Sequence, residues 1–134
     1  MRRFATSLAV AAFLATAPAA ADDVAIRQVI GEQLSAFEVD DFDAAFEHAS
    51  PAIRHIFGTP ERFGRMVEQG YPMVHRPAAY RFLDARETGG FTFQRVMITD
   101  ATGRLHLLEY QMVETGGRYL INGVRILRGA DAGV

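Results

Sequence analysis

His106, Tyr110 and Asn122 are the side chains whose types and spacing suggest chemistry. Residues two apart share a face of a strand. His106 and Tyr110 therefore fall on one side of a strand over 104–114, and a tight turn about Gly116 would set Asn122 opposite Tyr110. Such a set could polarise a carbonyl or orient a small polar ligand, with His106 moving a proton near neutral pH. Asp84, on an earlier strand, would share that face and offer a carboxylate base. His106, Tyr110 and Asp84 are thus the candidate catalytic groups, and Tyr110, Asn122 and His106 the candidate ligand contacts. Their spacing matches no known motif. The plainer account lets Tyr110 and Asn122 satisfy each other or the backbone in the core. It puts His106 at a sheet end near Gly103 and Asp84 beside Arg86 at a solvated strand end.

Other chemistries are excluded by what the sequence lacks. It has 134 residues, no cysteine and no lysine, so it offers no thiolate, disulfide, lysine Schiff base or P-loop lysine. There is no G-x-S-x-G; beyond residue 21 the serines are Ser35, inside a helix pattern, and Ser50, a cap. Gly89-Gly90 and Gly116-Gly117 read as hairpin turns, not phosphate loops. His48, His55, His75 and His106 show no metal-ligand spacing, so neither a metal nor a cofactor is expected. A formal charge of −2 and a pI near 6.1 argue against nucleic acid as a partner. Arg54, Arg62 and Arg65, with Glu61 and Glu68 beside them, read as a solvated, ion-paired helix face.

The amino terminus reads as an export signal. Arg2-Arg3 precedes an apolar run, Leu8 to Ala15, too short for a permanent span, and Ala19-Ala20-Ala21 is a small-residue cleavage site. Cleavage after Ala21 is expected, leaving one domain over 22–134 with no membrane anchor. The all-arginine, alanine-rich composition suggests a bacterial source and a periplasmic destination.

The elements that must position the candidates follow from periodicity. Ile26, Val29, Ile30, Leu34 and Phe37 recur at helical spacing, and Val39-Asp40-Asp41 ends that helix. Asp41 is placed to cap a second helix carrying Phe42, Ala45, Phe46 and Ala49. Ser50-Pro51 and Thr59-Pro60 each pair a cap with a proline at the first helical position, the second opening a helix that stops near Gly70. Met73 to Ala79 reads as a linker. Beyond Tyr80, four strands are expected at roughly 80–87, 91–99, 104–114 and 118–127. Helices first and an antiparallel meander second is the α+β pattern.

Turns about Gly89, Ala101 and Gly116 would pair residues of equal parity. The even face, with Tyr80, Phe82, Val96, Ile98, Leu108, Met112, Leu120, Val124 and Ile126, would receive the helices. The odd face mixes Phe91, Phe93, Met97, Leu105, Leu107, Ile121 and Leu127 with Arg95, Glu109 and Arg125, which are set for cross-strand or cross-dimer ion pairs. Apolar residues on a second face point to a partner, most simply another copy.

The sequence Asp40-Asp41-Phe42-Asp43-Ala44-Ala45-Phe46, with Ser50-Pro51 behind it and Gly117-Arg118-Tyr119-Leu120-Ile121-Asn122-Gly123-Val124 near the end, resembles the bacterial family called domain of unknown function 4864. That family looks related to the nuclear-transport-factor-2-like superfamily. The resemblance spans roughly Val24 to Leu127. It implies a cone in which a bent sheet wraps helices around a pocket, often in a homodimer formed through the outer sheet faces. It carries over no activity and no residue, since fold alone does not decide function. Two readings are open: a non-catalytic module for a small apolar ligand or a protein partner, and a cofactor-free isomerase, dehydratase or hydrolase using His106 or Asp84 as base and Tyr110 as donor. A structural subunit of a periplasmic complex is a third.

Overall fold

The computed structural model describes residues 9–12 and 18–128. The charged start of the expected signal and half of its apolar run lie outside the described residues. Helix α1 (Pro18–Glu38) passes through the expected cleavage point, and among the described residues no helix is long and apolar enough to cross a membrane. Its Ile26, Ile30, Leu34 and Phe37 are buried, as the spacing required. Asp40 then adopts a left-handed φ of 55°, a conformation Asp tolerates better than most residues, and turns the chain.

Local capping explains the next three elements. Helix α2 (Phe42–Glu47) starts where Asp41 accepts the Ala44 N–H at 3.1 Å. Helices α3 (Pro51–Phe57) and α4 (Pro60–Gly70) start where Ser50 and Thr59 accept from Ile53 and Arg62, each with proline at the first position. The stretch expected as a linker holds a further short helix, α5 (Pro72–His75). Met73 and Val74 on it are buried, so tertiary packing orders a segment that its prolines alone would leave open.

Strands β1 (Ala79–Thr88), β2 (Phe91–Thr99), β3 (Leu105–Thr115) and β4 (Arg118–Leu127) form an antiparallel meander in sequence order. Val96, Ile98, Leu108, Tyr110 and Met112 face the helices and are buried. The equal-parity register holds over most of the sheet but breaks at two bulges. In β1 it shifts between Phe82 and Ala85, so Ala85 faces Gln94. Between β3 and β4 it shifts at Gln111/Met112, so Tyr110 pairs with Val124 and Met112 with Ile121. Beyond each bulge the faces exchange, and Ile121, expected outside, joins the core while Leu120 leaves the helix side.

The segment before α3 covers the free edge of β4. Ile121 N–H donates to His48 O and Ser50 N–H to Ile121 O, both at 2.8 Å, in a parallel bridge at Ala49. A covered edge offers no template for unwanted strand pairing.

Candidate functional site

Packing four helices against a bent sheet leaves a cavity of about 200 Å³. Phe37 and Gln33 of α1, Ile53 and Phe57 of α3, Phe63, Met66 and Val67 of α4, Tyr71 just before α5, Val74 of α5, and Ile121, Gly123 and Val124 of β4 line it. Phe63 sits in an aromatic cluster, with ring centroids 5.7 Å from Phe57, 5.8 Å from Phe37 and 5.4 Å from Phe46. The tilted rings present both edges and faces to the space between them.

The two polar side chains of the lining, Gln33 and Tyr71, each make a hydrogen bond within the protein. Gln33, 3% exposed, donates Nε2–H to Ala45 O at 3.1 Å. Tyr71 donates its hydroxyl to Val124 O at 3.1 Å. The lining contains no acid, histidine or arginine. It can exclude water and hold an apolar molecule, and it offers no general base.

The candidates from the sequence fall elsewhere, because the two glycine hairpins close over two residues, Thr88↔Phe91 and Thr115↔Arg118, and each of these strand pairs then carries a bulge. Tyr110 and Asn122 do not face each other. Asn122 is the extra residue of the β4 bulge, where it accepts from Ser50 Oγ at 2.8 Å and donates to Gln111 Oε1 at 3.3 Å. Tyr110 is fully buried, and among the described residues its hydroxyl has no hydrogen-bond partner. Burial pushes its phenol well above the usual range, with Tyr80 adding to the shift, so it stays neutral. Asp84 falls in the β1 bulge and is exposed, not on the helix-facing side. Gln94, which sequence reasoning passed over, fills that bulge from inside, its Nε2 donating to Leu83 O, Asp84 O and Arg95 O. A buried amide on a core face was the available signal.

His106 lies at the end of the sheet, bound through Nε2 to Asp100 Oδ2 at 2.8 Å. The Thr102 hydroxyl, then His106, hold the Asp100 carboxyl well below the usual carboxylate range, aided by the Arg104 and Thr102 N–H groups. None of Asp84, His106, Tyr110 and Asn122 lines the cavity.

His75, which shows no metal-ligand spacing in the sequence, acquires two carboxylate neighbours through the fold: Asp40 Oδ1 at 2.7 Å and Glu68 Oε1 at 3.7 Å. Arg76 Nη2 also lies 3.0 Å from Asp40 Oδ1, so a cation already serves the strongest acceptor of this group. His75 first and Arg76 second lower the Asp40 pKa.

The outer face holds a charge cluster wider than the expected pairs. Glu109 is 3% exposed; Arg125 Nη2 lies 3.0 Å from its Oε1, and Arg95 Nε and Arg86 Nη2 lie 3.6 and 3.7 Å from its Oε2. The two-residue Gly89-Gly90 turn sets Arg86 opposite Phe93 on this face.

A family model described as "Domain of unknown function (DUF4864)" matches residues 19–134. No curated protein matches the sequence. Among solved structures, Aln2 from a Streptomyces species is similar at 16% identity and a TM-score of 0.50, over 84% of this chain and 92% of that one. An NTF-2 like protein of unknown function from Burkholderia xenovorans is similar at 15% identity and a TM-score of 0.47, over 78% of this chain and 84% of that one. The Streptomyces likeness is one of fold.

Proposed function

The chain belongs to the family described as a domain of unknown function (DUF4864), and from that premise we propose that it is an exported, non-catalytic module that holds a small, uncharged apolar molecule beneath its helices. The observation that carries this reading is the cavity of about 200 Å³ lined almost wholly by apolar side chains, with its two polar ones, Gln33 and Tyr71, each donating to a backbone carbonyl. An apolar cavity of about 150 Å³ accepts benzene, and drug-sized ligands occupy about 300–1,000 Å³. The size therefore selects a single ring or a short branched chain. Phe37, Phe57 and Phe63 favour an aromatic ring among these.

The lining also favours binding over catalysis, since an isomerase or dehydratase needs an acid or base within reach of the bound substrate. Export rests on the amino-terminal pattern of Arg2-Arg3, the apolar run and Ala19-Ala20-Ala21.

A thermal-unfolding screen with single-ring aromatics, short aliphatic alcohols and two-ring compounds tests the ligand class. A ligand at a hundred times its Kd adds about 2.7 kcal/mol to stability. Single-ring compounds should raise Tm and two-ring compounds should not. A screen in which no single-ring compound shifts Tm would overturn the proposal. Mass analysis of the protein recovered from a periplasmic extract tests export, with loss of residues 1–21 as the expected result.

A further inference from the structure

The amide of Gln33 is a polar feature of the cavity wall that helix packing does not use up. Gln33 lies four residues before Phe37 on α1, so the two side chains stand one turn apart on one helix face, and both line the cavity. Gln33 is 3% exposed, in a helix whose Ile26, Ile30 and Leu34 are buried in the core. An amide in such a place costs free energy unless both of its ends find partners.

One end does. Nε2 donates to Ala45 O at 3.1 Å, and because that carbonyl can only accept, the contact fixes the nitrogen toward α2 and leaves the oxygen free of it. Among the described residues Oε1 accepts no hydrogen bond. Unlike Gln94 Oε1 and the Tyr110 hydroxyl, it is not sealed on all sides, and the space that Gln33 borders is the cavity. Tyr71, the other polar side chain of the wall, commits its hydrogen to Val124 O at 3.1 Å, so its oxygen can only accept. The cavity thus presents apolar walls with unfilled acceptors set in them.

We infer that the occupant is a single ring bearing one hydroxyl group, its ring among Phe37, Phe57 and Phe63 and its O–H donating to Gln33 Oε1, an assignment that rests on this cavity being a ligand site. A hydroxyl suits the amide because it can donate to Oε1 and accept the second Nε2 hydrogen at once. Water suits the place less: a buried water holds about three hydrogen bonds, and the wall away from Gln33 and Tyr71 is apolar. A ring brings apolar surface to that wall along with its hydroxyl. A carboxylate or an ammonium group would find no countercharge, since the lining contains no acid, histidine or arginine. A ring without a polar group would fill the space and leave Oε1 cut off from water and unpaired.

The test is calorimetric titration of the full chain with phenol, with toluene, which has nearly the same shape and no hydroxyl, and with anisole, which accepts a hydrogen bond and cannot donate one. Phenol should bind about tenfold more tightly than either, the worth of one hydrogen bond to a buried acceptor. In Gln33→Met, which keeps an unbranched side chain of similar length, the ratio of phenol to toluene affinity should fall to about one. Circular dichroism confirms the fold of that variant, and the comparison of probes on the unaltered chain stands without it. Toluene or anisole binding as tightly as phenol would overturn the inference and leave the apolar ligand site standing. No binding by any of the probes would overturn both. A preference for phenol that survives in folded Gln33→Met would also overturn the inference, by placing the acceptor elsewhere.

Discussion

Replacing Tyr110 by Phe should stabilise the protein, although it removes a polar group and adds no contact. The ring is fully buried in the core on the helix-facing side of the sheet, and its hydroxyl has no hydrogen-bond partner among the described residues. Folding therefore takes that hydroxyl out of water with nothing in return. The cost of burying an unsatisfied group is about 1–3 kcal/mol. Phe keeps the ring and its contacts, so the variant should recover about 1 kcal/mol or more. In a domain of this size that corresponds to a Tm rise of roughly 4 °C or more per kcal/mol. Urea unfolding monitored by circular dichroism gives the midpoint and the slope together. The midpoint should rise with an unchanged slope, since the surface exposed on unfolding hardly differs. A midpoint that falls by the equivalent of about 1 kcal/mol would refute the reasoning, because it would mean the hydroxyl has a partner in solution. Gln94, whose Oε1 also has no partner among the described residues and which pairs with Tyr110 across β2 and β3, would be the first place to look for it.

Asn122→Ala should destabilise by about 1–2 kcal/mol in the same assay, because it removes the acceptor of the buried Ser50 hydroxyl that ties α3 to the β4 bulge. Gly64→Ala should cost about 1–3 kcal/mol, since a Cβ there would lie 2.6 Å from the Phe42 ring; an unchanged urea midpoint would show that α2 and α4 separate freely. Stability should fall as pH drops below the usual carboxylate range: Asp40 and Asp100 have folded pKa values below their unfolded ones, so their contribution is present above about pH 4 and lost on acidification through the folded values. Asp100→Asn should flatten that decline, measured as Tm against pH; an identical slope in the variant would assign the acid sensitivity elsewhere.

What the sequence made legible was local. Asp41, Ser50-Pro51 and Thr59-Pro60 announce helix starts because a cap acts on an N–H two or three residues away, and each does so in the structure. The helix stripe of Ile26, Ile30, Leu34 and Phe37 and the four strands follow from periodicity in the same way. Nothing near Leu83-Asp84 marks the β1 bulge, whereas Gly123, an isolated glycine inside a strand pattern, was the signal for the one at Asn122. The two-residue turns at Gly89-Gly90 and Gly116-Gly117 shift each hairpin by one residue from the expected register, which separates Tyr110 from Asn122 and sets Arg86 opposite Phe93 on the outer face, and the bulges exchange the faces again farther along. The cavity was not legible either. It is the space left between four helices and a strand, and residues as far apart as Gln33 and Val124 define it. The helix at Met73 and Val74 depended likewise on a core that only the folded chain assembles.

The central claim is that the cavity takes a single apolar ring, and the chain's lack of tryptophan allows a direct measurement. Phe57→Trp places one indole in the lining, so its fluorescence reports on the cavity alone. Titration with a single-ring aromatic should give a saturable change. A second substitution, Val67→Phe, adds volume to the same lining and should abolish that change while the protein stays folded. A titration that is flat or unsaturable, or that persists unaltered in the filled variant, would contradict the account.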